Sequence, residues 1–383
     1  MELYLHIPFC RQKCRYCDFC SFPCMEDRME AYTETLLREA LQQRTCVKGT
    51  IETIYIGGGT PSLLPCTLLR RLITGIRALY PIRKDAEFTI EANPGTLHPA
   101  WLETARELGV NRLSIGMQAA QESLLRTLGR IHSFPEVENS VREARNAGFQ
   151  NISLDLIFGI PGQTEADWEE TLTRTLALDP THISAYGLIP EEGTPLTEDL
   201  RSGRLTLPEP EAERSMYNRL KQQMQRHGYR QYEISNFARE GYACRHNIGY
   251  WTQVPYLGLG LSAASMVRME KGPEGVRYTR MRNPAGFEDY TRMIRENRPE
   301  ERETEAVSPA EARFETMMLG LRMNRGVSEN AFFQLHGKQL PQIYGAKLQQ
   351  LLEKGLVEKE GDRWFLSDRG MDIQNAVLVE LME

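Results

Sequence analysis

Short apolar runs alternate with longer amphipathic stretches over the first 190 residues of the chain. The short runs are rich in β-branched residues and predict six strands, at 3–7, 53–56, 87–90, 112–115, 152–157 and 182–186. The longer stretches predict helices at 26–44, 66–79, 99–108, 121–128, 135–147 and 165–177. Six βα units in succession indicate parallel strands of the α/β class. A closed eight-stranded barrel would need two more units, so the pattern favours a partial barrel.

Polar residues gather at the predicted ends of these strands. A cysteine follows the first strand, a glycine-rich run follows the second, and single polar residues mark the next three: Cys10, Gly57–Thr60, Glu91, Gln118 and Asp155. The C-terminal ends of parallel strands converge on one mouth, where ligands bind in such folds. We therefore expect these residues to lie together.

The last third of the chain has a different pattern. The stretch 268–304 is rich in charge, glycine and proline, and it predicts a connecting region. Ser308 and Glu311 have capping-box spacing, and they precede three predicted helices, two short strands and a last helix. We predict a partial barrel with an extension over 1–267, then the connecting region, then a winged-helix-like α+β domain over 305–383.

Composition and charge narrow the classes of function. The chain has 383 residues, of which 41% are hydrophobic and 26% are charged, as expected for a globular protein of one to three domains. Its net charge is −6, and residues 303–383 hold nine Lys/Arg against thirteen Asp/Glu, which disfavours nucleic acid as a partner. A DNA-binding use of the winged-helix-like domain is disfavoured for the same reason.

The expected location is the cytoplasm. No apolar run is long enough to span a bilayer, so we predict no transmembrane segment, whereas peripheral membrane contact stays open. Cys46, Cys66 and Cys244 are scattered singly, which suits a reducing compartment better than a disulfide framework.

Three cysteines near the start of the chain carry the strongest chemical signal. Cys10, Cys14 and Cys17 have the spacing Cys-x3-Cys-x2-Cys. Three thiolates are one short of the four that close a structural zinc site or a complete iron–sulfur site. The alternatives are a zinc site completed by Cys20, or incidental cysteines. A zinc site would favour a second Cys-x2-Cys unit later in the chain, and none follows.

Two further runs follow predicted strands. YIGGGTPS places three glycines directly after a strand, where backbone N–H groups could approach a ligand; the alternative is a tight turn without a ligand. EANPGTL ends a strand with Glu91, which could accept hydrogen bonds from an amine or a ribose hydroxyl, or could merely cap the turn.

Taken in order, HIPFCRQKCRYCDF, GGGTP, EANP, SIGMQ, LGR and DLIFGIPGQT resemble the radical SAM proteins of the coproporphyrinogen III oxidase type. The resemblance extends from Tyr4 to about Trp251. It implies a partial (β/α)6 barrel in which Cys10, Cys14 and Cys17 hold a [4Fe–4S] cluster. The open iron would take S-adenosylmethionine (SAM), and a separate electron donor would reduce the cluster.

By motif match, the resemblance also implies a set of residues that contact SAM. They comprise two tyrosines, three residues of the glycine-rich run and four polar residues: Tyr4, Tyr16, Gly58, Gly59, Thr60, Glu91, Gln118, Arg130 and Asp155.

The family has two branches, an oxidase that decarboxylates coproporphyrinogen III and a haem chaperone of the HemW type. The oxidase pattern continues Cys-x-Cys after the third ligand, but here Phe19 occupies that place and Cys20 comes one residue late. The oxidase also carries a longer segment before its cysteines than the nine residues found here. Both differences favour the chaperone.

A third feature is the run CRHNIGYW, which matches the HNxxYW motif typical of the chaperone branch. A histidine can ligate haem iron, so His246 is the candidate ligand, with Cys244 as an alternative. Tyr250 and Trp251 could cover a porphyrin face, and Asn247 could hold the imidazole or a propionate. A lone histidine beside aromatic residues can equally be a packed one.

The preferred hypothesis is a haem chaperone that binds haem, carries a [4Fe–4S] cluster and SAM, and passes haem to acceptor proteins. The alternative is an oxygen-independent coproporphyrinogen III oxidase or another radical SAM enzyme that modifies porphyrins.

Overall fold

The computed structural model describes residues 1–272 and 275–382. Its strands, in chain order, are β1 (Glu2–Ile7), β2 (Phe9–Cys10), β3 (Phe22–Pro23), β4 (Ile51–Gly58), β5 (Ile82–Ala92), β6 (Arg112–Gln118), β7 (Asn151–Phe158), β8 (His182–Gly187), β9 (Arg230–Glu233), β10 (Asn236–Ala238), β11 (Tyr256–Leu259), β12 (Ala264–Gly272), β13 (Gly275–Arg282), β14 (Glu303–Val307), β15 (Val327–Ser328), β16 (Val357–Glu360) and β17 (Arg363–Leu366).

The helices are α1 (Met29–Gln42), α2 (Cys66–Leu79), α3 (Pro99–Glu107), α4 (Glu122–Leu128), α5 (Phe134–Asn146), α6 (Glu165–Ala177), α7 (Pro195–Arg201), α8 (Pro210–Arg226), α9 (Arg245–Trp251), α10 (Phe287–Glu296), α11 (Pro309–Gly320), α12 (Glu329–His336), α13 (Leu340–Glu353), α14 (Asp368–Asp372) and α15 (Gln374–Leu381). None of the helices in the described ranges is both long and apolar enough to cross a membrane.

The six predicted strands form the parallel centre of one twelve-stranded sheet, in the order β1-β4-β5-β6-β7-β8. β11 adds a further parallel strand beside β1, and antiparallel strands extend both edges. Helices α2 to α6 lie on the connections, as the alternating pattern predicts. The predicted α/β class is confirmed.

The parallel strands alternate apolar and polar side chains, which separates two faces of the barrel. In β1, Leu3, Leu5 and Ile7 are buried in the main hydrophobic core. The intervening Glu2, Tyr4 and His6 share the opposite face, because successive side chains on a strand point to opposite sides.

The polar face continues across the sheet in rows set by the strand register. Glu2 pairs with Thr53, and Thr53 pairs with Glu87. Two residues further on, Tyr4 pairs with Tyr55. The interior of the barrel is therefore lined by polar and aromatic side chains.

A second hydrophobic core lies within the C-terminal part of the chain. Its buried residues run from Met317 to Leu381, and they come from α11 to α15 and the three-stranded sheet β15-β17-β16. The Ser308 side chain accepts a hydrogen bond from the backbone N–H of Glu311, so the predicted capping box starts α11.

The stretch 268–304, predicted as a connecting region, instead contributes to the main sheet. It includes most of β12, all of β13, α10 and the start of β14. Val276 and Tyr278 are buried, whereas Arg277 between them is exposed. This alternation of period two is a strand signal that the high local charge obscured.

Candidate functional site

The cysteine-bearing loop is tied to the barrel through its backbone. Cys10 ends β2, which pairs with β3 and so closes the loop between them. The Arg15 N–H donates to the Leu128 carbonyl, and the Leu196 N–H donates to the Arg15 carbonyl, both at 2.9 Å. The loop is thus clamped between the end of α4 and the start of α7.

Gly129 makes this clamp possible. Its φ is +72°, and a Cβ atom there would lie 2.7 Å from Cγ of Arg15 and 3.1 Å from the Arg15 nitrogen. Only glycine combines that backbone conformation with such close approach.

A chain of side-chain hydrogen bonds connects two of the cysteines across the barrel mouth. Thr60 Oγ1 donates to Cys10 Sγ over 3.6 Å, and Asn93 Nδ2 donates to Thr60 Oγ1 over 2.8 Å. Arg130 donates to Asn93 Oδ1 at 2.6 Å and to Cys14 Sγ at 3.5 Å. The structure thus brings together Cys10, Cys14, Thr60 and Arg130; of these, the strand-end pattern names Cys10 and Thr60.

Burial at this end of the barrel favours the neutral thiol form of the cysteines. Burial raises the pKa of the Cys10 thiol, while the Thr60 hydrogen bond and the Arg130 charge act in the opposite direction. Burial likewise raises the pKa of Cys17 to about 11. These thiols therefore release protons when they bind metal, so binding should be tighter at higher pH.

The donor set fits an iron–sulfur cluster. Three half-buried thiols lie on one short loop, with the guanidinium of Arg130 beside Cys14. Among the described residues, no group of three or more His, Cys, Asp or Glu side chains is arranged around a single metal ion.

Cys20 faces away from this set. Its Sγ donates to the Ala285 carbonyl at 3.4 Å, on the segment before α10. Its own carbonyl contacts Nε2 of His6 at 2.7 Å. The side chain and the backbone of Cys20 both have partners outside the cysteine loop.

The glycine-rich run packs tightly against the first strand. The N–H groups of Gly59 and Thr60 donate to the carbonyls of Ile7 and Phe9, and the Gly58 N–H donates to Glu91. A Cβ at Gly59 would lie 2.7 Å from the Phe9 carbonyl oxygen. The glycines therefore serve close backbone approach, and all three N–H groups already have partners within the protein.

Glu91 lies at the end of β5, beside this run. Its carboxylate accepts hydrogen bonds from the Tyr55 hydroxyl at 2.8 Å and from the Gly58 N–H at 3.0 Å. Burial raises the pKa of Glu91 to about 7, with a further contribution from the Asp155 charge. Near neutral pH this carboxyl group can exchange a proton with a ligand.

Asp155 lies on β7, two strands from Glu91. It accepts hydrogen bonds from the hydroxyls of Ser114, at 3.0 and 3.1 Å, and Ser153, at 3.1 Å. Burial raises the pKa of Asp155, while the charge of Arg112 opposes the rise. Gln118 ends β6 and is buried, with a left-handed φ of +65°. For a residue other than glycine, that conformation is typical of functional sites.

The two predicted aromatic residues occupy different positions. The Tyr4 hydroxyl contacts Nδ1 of His6 at 3.0 Å, and its ring stacks on Tyr55 at 6.3 Å. Tyr16 packs against an apolar group below the cysteine loop. Burial raises the pKa of Tyr16, opposed by the nearby charge of Arg130.

His246 lies at the other end of the barrel. Its ring stacks on that of Tyr55, with 5.1 Å between the ring centroids. It lies beside the row formed by Glu2, Thr53 and Glu87. Nδ1 contacts the Thr53 hydroxyl at 2.7 Å, and Nε2 contacts the Tyr250 hydroxyl at 2.9 Å. Burial lowers the pKa of His246 to about 3, so its ring is neutral. In this conformation neither ring nitrogen is free, and haem ligation by His246 stays a prediction that requires these bonds to open.

The start of α9 is fixed by a carboxylate from the barrel. Glu87 accepts hydrogen bonds from the N–H groups of Arg245 and His246, at 2.9 and 3.0 Å, and from the Cys244 thiol at 3.4 Å. A carboxylate at a helix N-terminus is favourable. Cys244 is fully buried here, so its thiol is also engaged by the protein.

The remaining residues of the HNxxYW motif have different surroundings. Asn247, Tyr250 and Trp251 are each half-buried. The Trp251 ring lies under the guanidinium of Arg322 at 4.7 Å. Its indole nitrogen is buried and has no hydrogen-bond partner among the described residues. Trp251 lines a cavity between the end of α9 and the C-terminal domain.

Sequence patterns missed three residues that organise these sites: Glu87, Asn93 and Arg112. Glu87 and Arg112 follow from the alternation of polar and apolar residues along the parallel strands, whereas Asn93 lies just after the end of β5. Parallel strands are usually apolar on both faces, so their polar positions are a signal of a functional interior.

Comparison with known proteins gives a consistent picture. Residues 4–175 match the Radical SAM superfamily, and residues 307–373 match the HemN C-terminal domain. Heme chaperone HemW from Bacillus subtilis is 38% identical over 98% of this chain and 97% of its own length. Heme chaperone HemW from Escherichia coli is 33% identical over 99% of this chain and 97% of its own length.

Similarity to a solved structure extends over the whole chain. Coproporphyrinogen III oxidase (HemN) from Escherichia coli, a radical SAM enzyme, gives a TM-score of 0.83 at 21% identity, covering 100% of this chain and 89% of that one. At this identity the likeness concerns the fold alone.

Proposed function

The chain belongs to the family of heme chaperone HemW, as its motifs predict, and from this premise we propose that it binds haem and transfers it to acceptor proteins. Its N-terminal part is a radical SAM domain, and that family implies a [4Fe–4S] cluster and SAM. The observation that carries the proposal is similarity along nearly the whole chain, which includes both the barrel and the C-terminal domain.

Cys10, Cys14 and Cys17 are the proposed cluster ligands. They are the three cysteines of the clamped loop, whereas the Cys20 thiol is hydrogen-bonded to Ala285. The guanidinium of Arg130 beside Cys14 would offset the negative charge of a thiolate-bound cluster. When bound, the cluster supplies one-electron reduction of SAM.

The proposed SAM site extends from this loop along the strand ends. Glu91 and Asp155 can accept hydrogen bonds from amine and ribose hydroxyl groups, and Gln118 can supply an amide. Thr60 and Arg130 already bridge towards the cysteines through Asn93. Tyr4, Tyr16, Gly58 and Gly59 complete the proposed set.

We propose two roles for the HNxxYW motif in binding haem, one for Trp251 and one for His246. Trp251 faces a cavity and can cover a porphyrin face. Iron ligation by His246 needs release of the ring from Thr53 and Tyr250. A Tyr250→Phe variant removes one of those bonds, so it should bind haem more tightly than the unmodified protein if His246 is the ligand. Unchanged affinity would count against His246.

The finer partners are also proposals. An electron donor must reach the cluster end of the barrel, and peripheral membrane contact stays a prediction. We propose a cytoplasmic location, since cluster thiolates persist in a reducing compartment.

The test is anaerobic cluster reconstitution, haem titration and SAM-cleavage assay on one sample. We expect a Soret band on haem addition, followed by its transfer to a haem-free acceptor protein. No haem uptake by cluster-replete protein would overturn the chaperone proposal. Release of carbon dioxide from coproporphyrinogen III would instead support the oxidase alternative.

A further inference from the structure

A cavity lies at the junction between α9 and the C-terminal domain, well away from the cysteines. We call it the junction pocket, and its lining includes an aromatic ring, a thioether and two arginines: Trp251, Met323, Arg325, Phe332 and Arg363. Its cavity volume is about 400 Å³. A pocket of this size is large enough for a cofactor.

The two arginines of the junction pocket lie beside each other. Nη1 of Arg363 donates to the Arg325 carbonyl at 3.4 Å. Burial lowers the pKa of Arg325, and the Arg363 charge lowers it further. Both side chains are exposed, so each can reach a ligand in the mouth of the pocket.

No carboxylate within residues 1–272 and 275–382 forms an ion pair with either guanidinium at 4 Å or less. The nearest acid in sequence, Asp362, accepts hydrogen bonds from Ser328 at 2.6 Å and Asn330 at 3.0 Å, and interacts with Arg363 only at longer range. Two adjacent cations without such a partner form a favourable site for a ligand that carries two carboxylates.

The apolar part of the lining suits a planar aromatic ligand. In the part of the chain that the structure describes, the buried indole N–H of Trp251 has no hydrogen-bond partner, although a buried donor normally has one. Phe332 and Met323 add buried apolar surface to the same cavity. The pocket therefore combines an aromatic side chain, apolar side chains and two cations.

We propose that the junction pocket binds haem through its two propionate carboxylates, which pair with Arg325 and Arg363 while Trp251 contacts the macrocycle. The inference rests on the proposed chaperone function and deepens it, because it assigns the C-terminal domain a share of the haem site. It places that site at the opposite end of the barrel from the cluster.

The test uses full-length, cluster-replete protein and compares haem with haem dimethyl ester, whose propionates carry no charge. The double variant Arg325→Gln/Arg363→Gln should weaken haem binding by at least about tenfold, and the double lysine variant should restore part of the loss. The ester should bind the unmodified protein and the double glutamine variant equally, and more weakly than haem binds the unmodified protein. Arg226→Gln, at the exposed end of α8, is the matched control.

Two results would overturn the inference alone. One is that the double glutamine variant binds haem as tightly as the unmodified protein does. The other is that the unmodified protein binds the ester as tightly as it binds haem. In either case the unmodified protein still takes up haem, and the chaperone proposal stands. If the unmodified protein binds no haem, the proposed function itself fails. Circular dichroism shows whether the double variant is folded, and Trp251→Phe offers a second, milder change that should weaken haem and ester alike.

Discussion

The two ends of the barrel differ in how they use their polar side chains. At the cysteine end, Cys10 and Cys14 each receive one long hydrogen bond, from Thr60 and Arg130. At the α9 end, both ring nitrogens of His246 are within 3 Å of a hydroxyl, and a carboxylate caps the helix. The first arrangement leaves ligating atoms available, whereas the second consumes them in packing. The hydrogen bonds that a polar side chain already makes within the protein thus distinguish an available ligand from a packed side chain. Residue type alone does not make this distinction.

The largest effect should come from the cysteine end. Cys17→Ala removes a proposed ligand and should abolish the reconstituted cluster, seen as loss of iron and of the visible iron–sulfur absorption. Cys20→Ala removes a thiol that is hydrogen-bonded to the Ala285 carbonyl, so this variant should retain the full iron content. Equal iron loss in both variants would show that the ligand set is wrong.

At the α9 end, His246→Gln should change how stability depends on pH. The folded state keeps His246 neutral down to about pH 3, whereas an unfolded histidine takes up a proton below about pH 6.5. The contribution of neutral His246 to the free energy of unfolding is therefore fully present above about pH 6.5. It is lost progressively as the pH falls towards about 3. The variant should lose less stability on acidification, by up to about 1.4 kcal/mol per pH unit.

Urea unfolding at several pH values between 4 and 7 measures this slope. His227→Gln, at an exposed histidine after α8, is the control. An unchanged slope in His246→Gln would mean that the ring is not held neutral, which would remove the contrast between the two ends.

The clamp on the cysteine loop predicts a smaller change in stability. Gly129→Ala forces a Cβ against Arg15 at a φ of +72°, which should cost about 1–3 kcal/mol and weaken cluster retention. Gly203 has the same φ of +72° but nothing within 4 Å of its Cβ position, so Gly203→Ala isolates the backbone strain.

Iron content after buffer exchange and the free energy of unfolding measure both effects. If the two alanine variants lose iron equally, the contact with Arg15 does not hold the loop.

The smallest expected effect concerns Glu91. Because its pKa is raised to about 7, its ionised fraction grows between pH 6 and 8. If this carboxylate holds the amine or ribose of SAM, affinity should rise by up to about tenfold over that range. Equilibrium dialysis with Glu91→Gln should show a flat profile, and a profile as steep as that of the unmodified protein would exclude Glu91 as the group that titrates.

Much of the barrel could be predicted because its signals are local. The run Glu165–Ala177 has the predicted helix bounds, and Gly109 and Gly148 have positive φ values of +86° and +87° directly after helices, as capping requires. The family branch was likewise predictable, since its motifs are contiguous runs of sequence.

The unpredicted parts depend on contacts between distant segments. The state of His246 depends on Thr53, which lies 193 residues away in sequence. Asn93 acquires its role only when β5 brings it between Thr60 and Arg130. The strands within 268–304 were not predicted because their outward-facing residues are charged. This high local charge obscured the alternation of buried and exposed residues.

The clamp on the cysteine loop also orders events during synthesis of the protein. The backbone of Arg15 is held by Leu128 and Leu196, so the loop reaches its final shape only after residue 196 has left the ribosome. At about 5–20 residues per second, roughly ten seconds or more pass between emergence of the cysteines and closure of their clamp. Delivery of iron and sulfide is thereby expected late in translation or after it, and the thiols must be kept reduced until then.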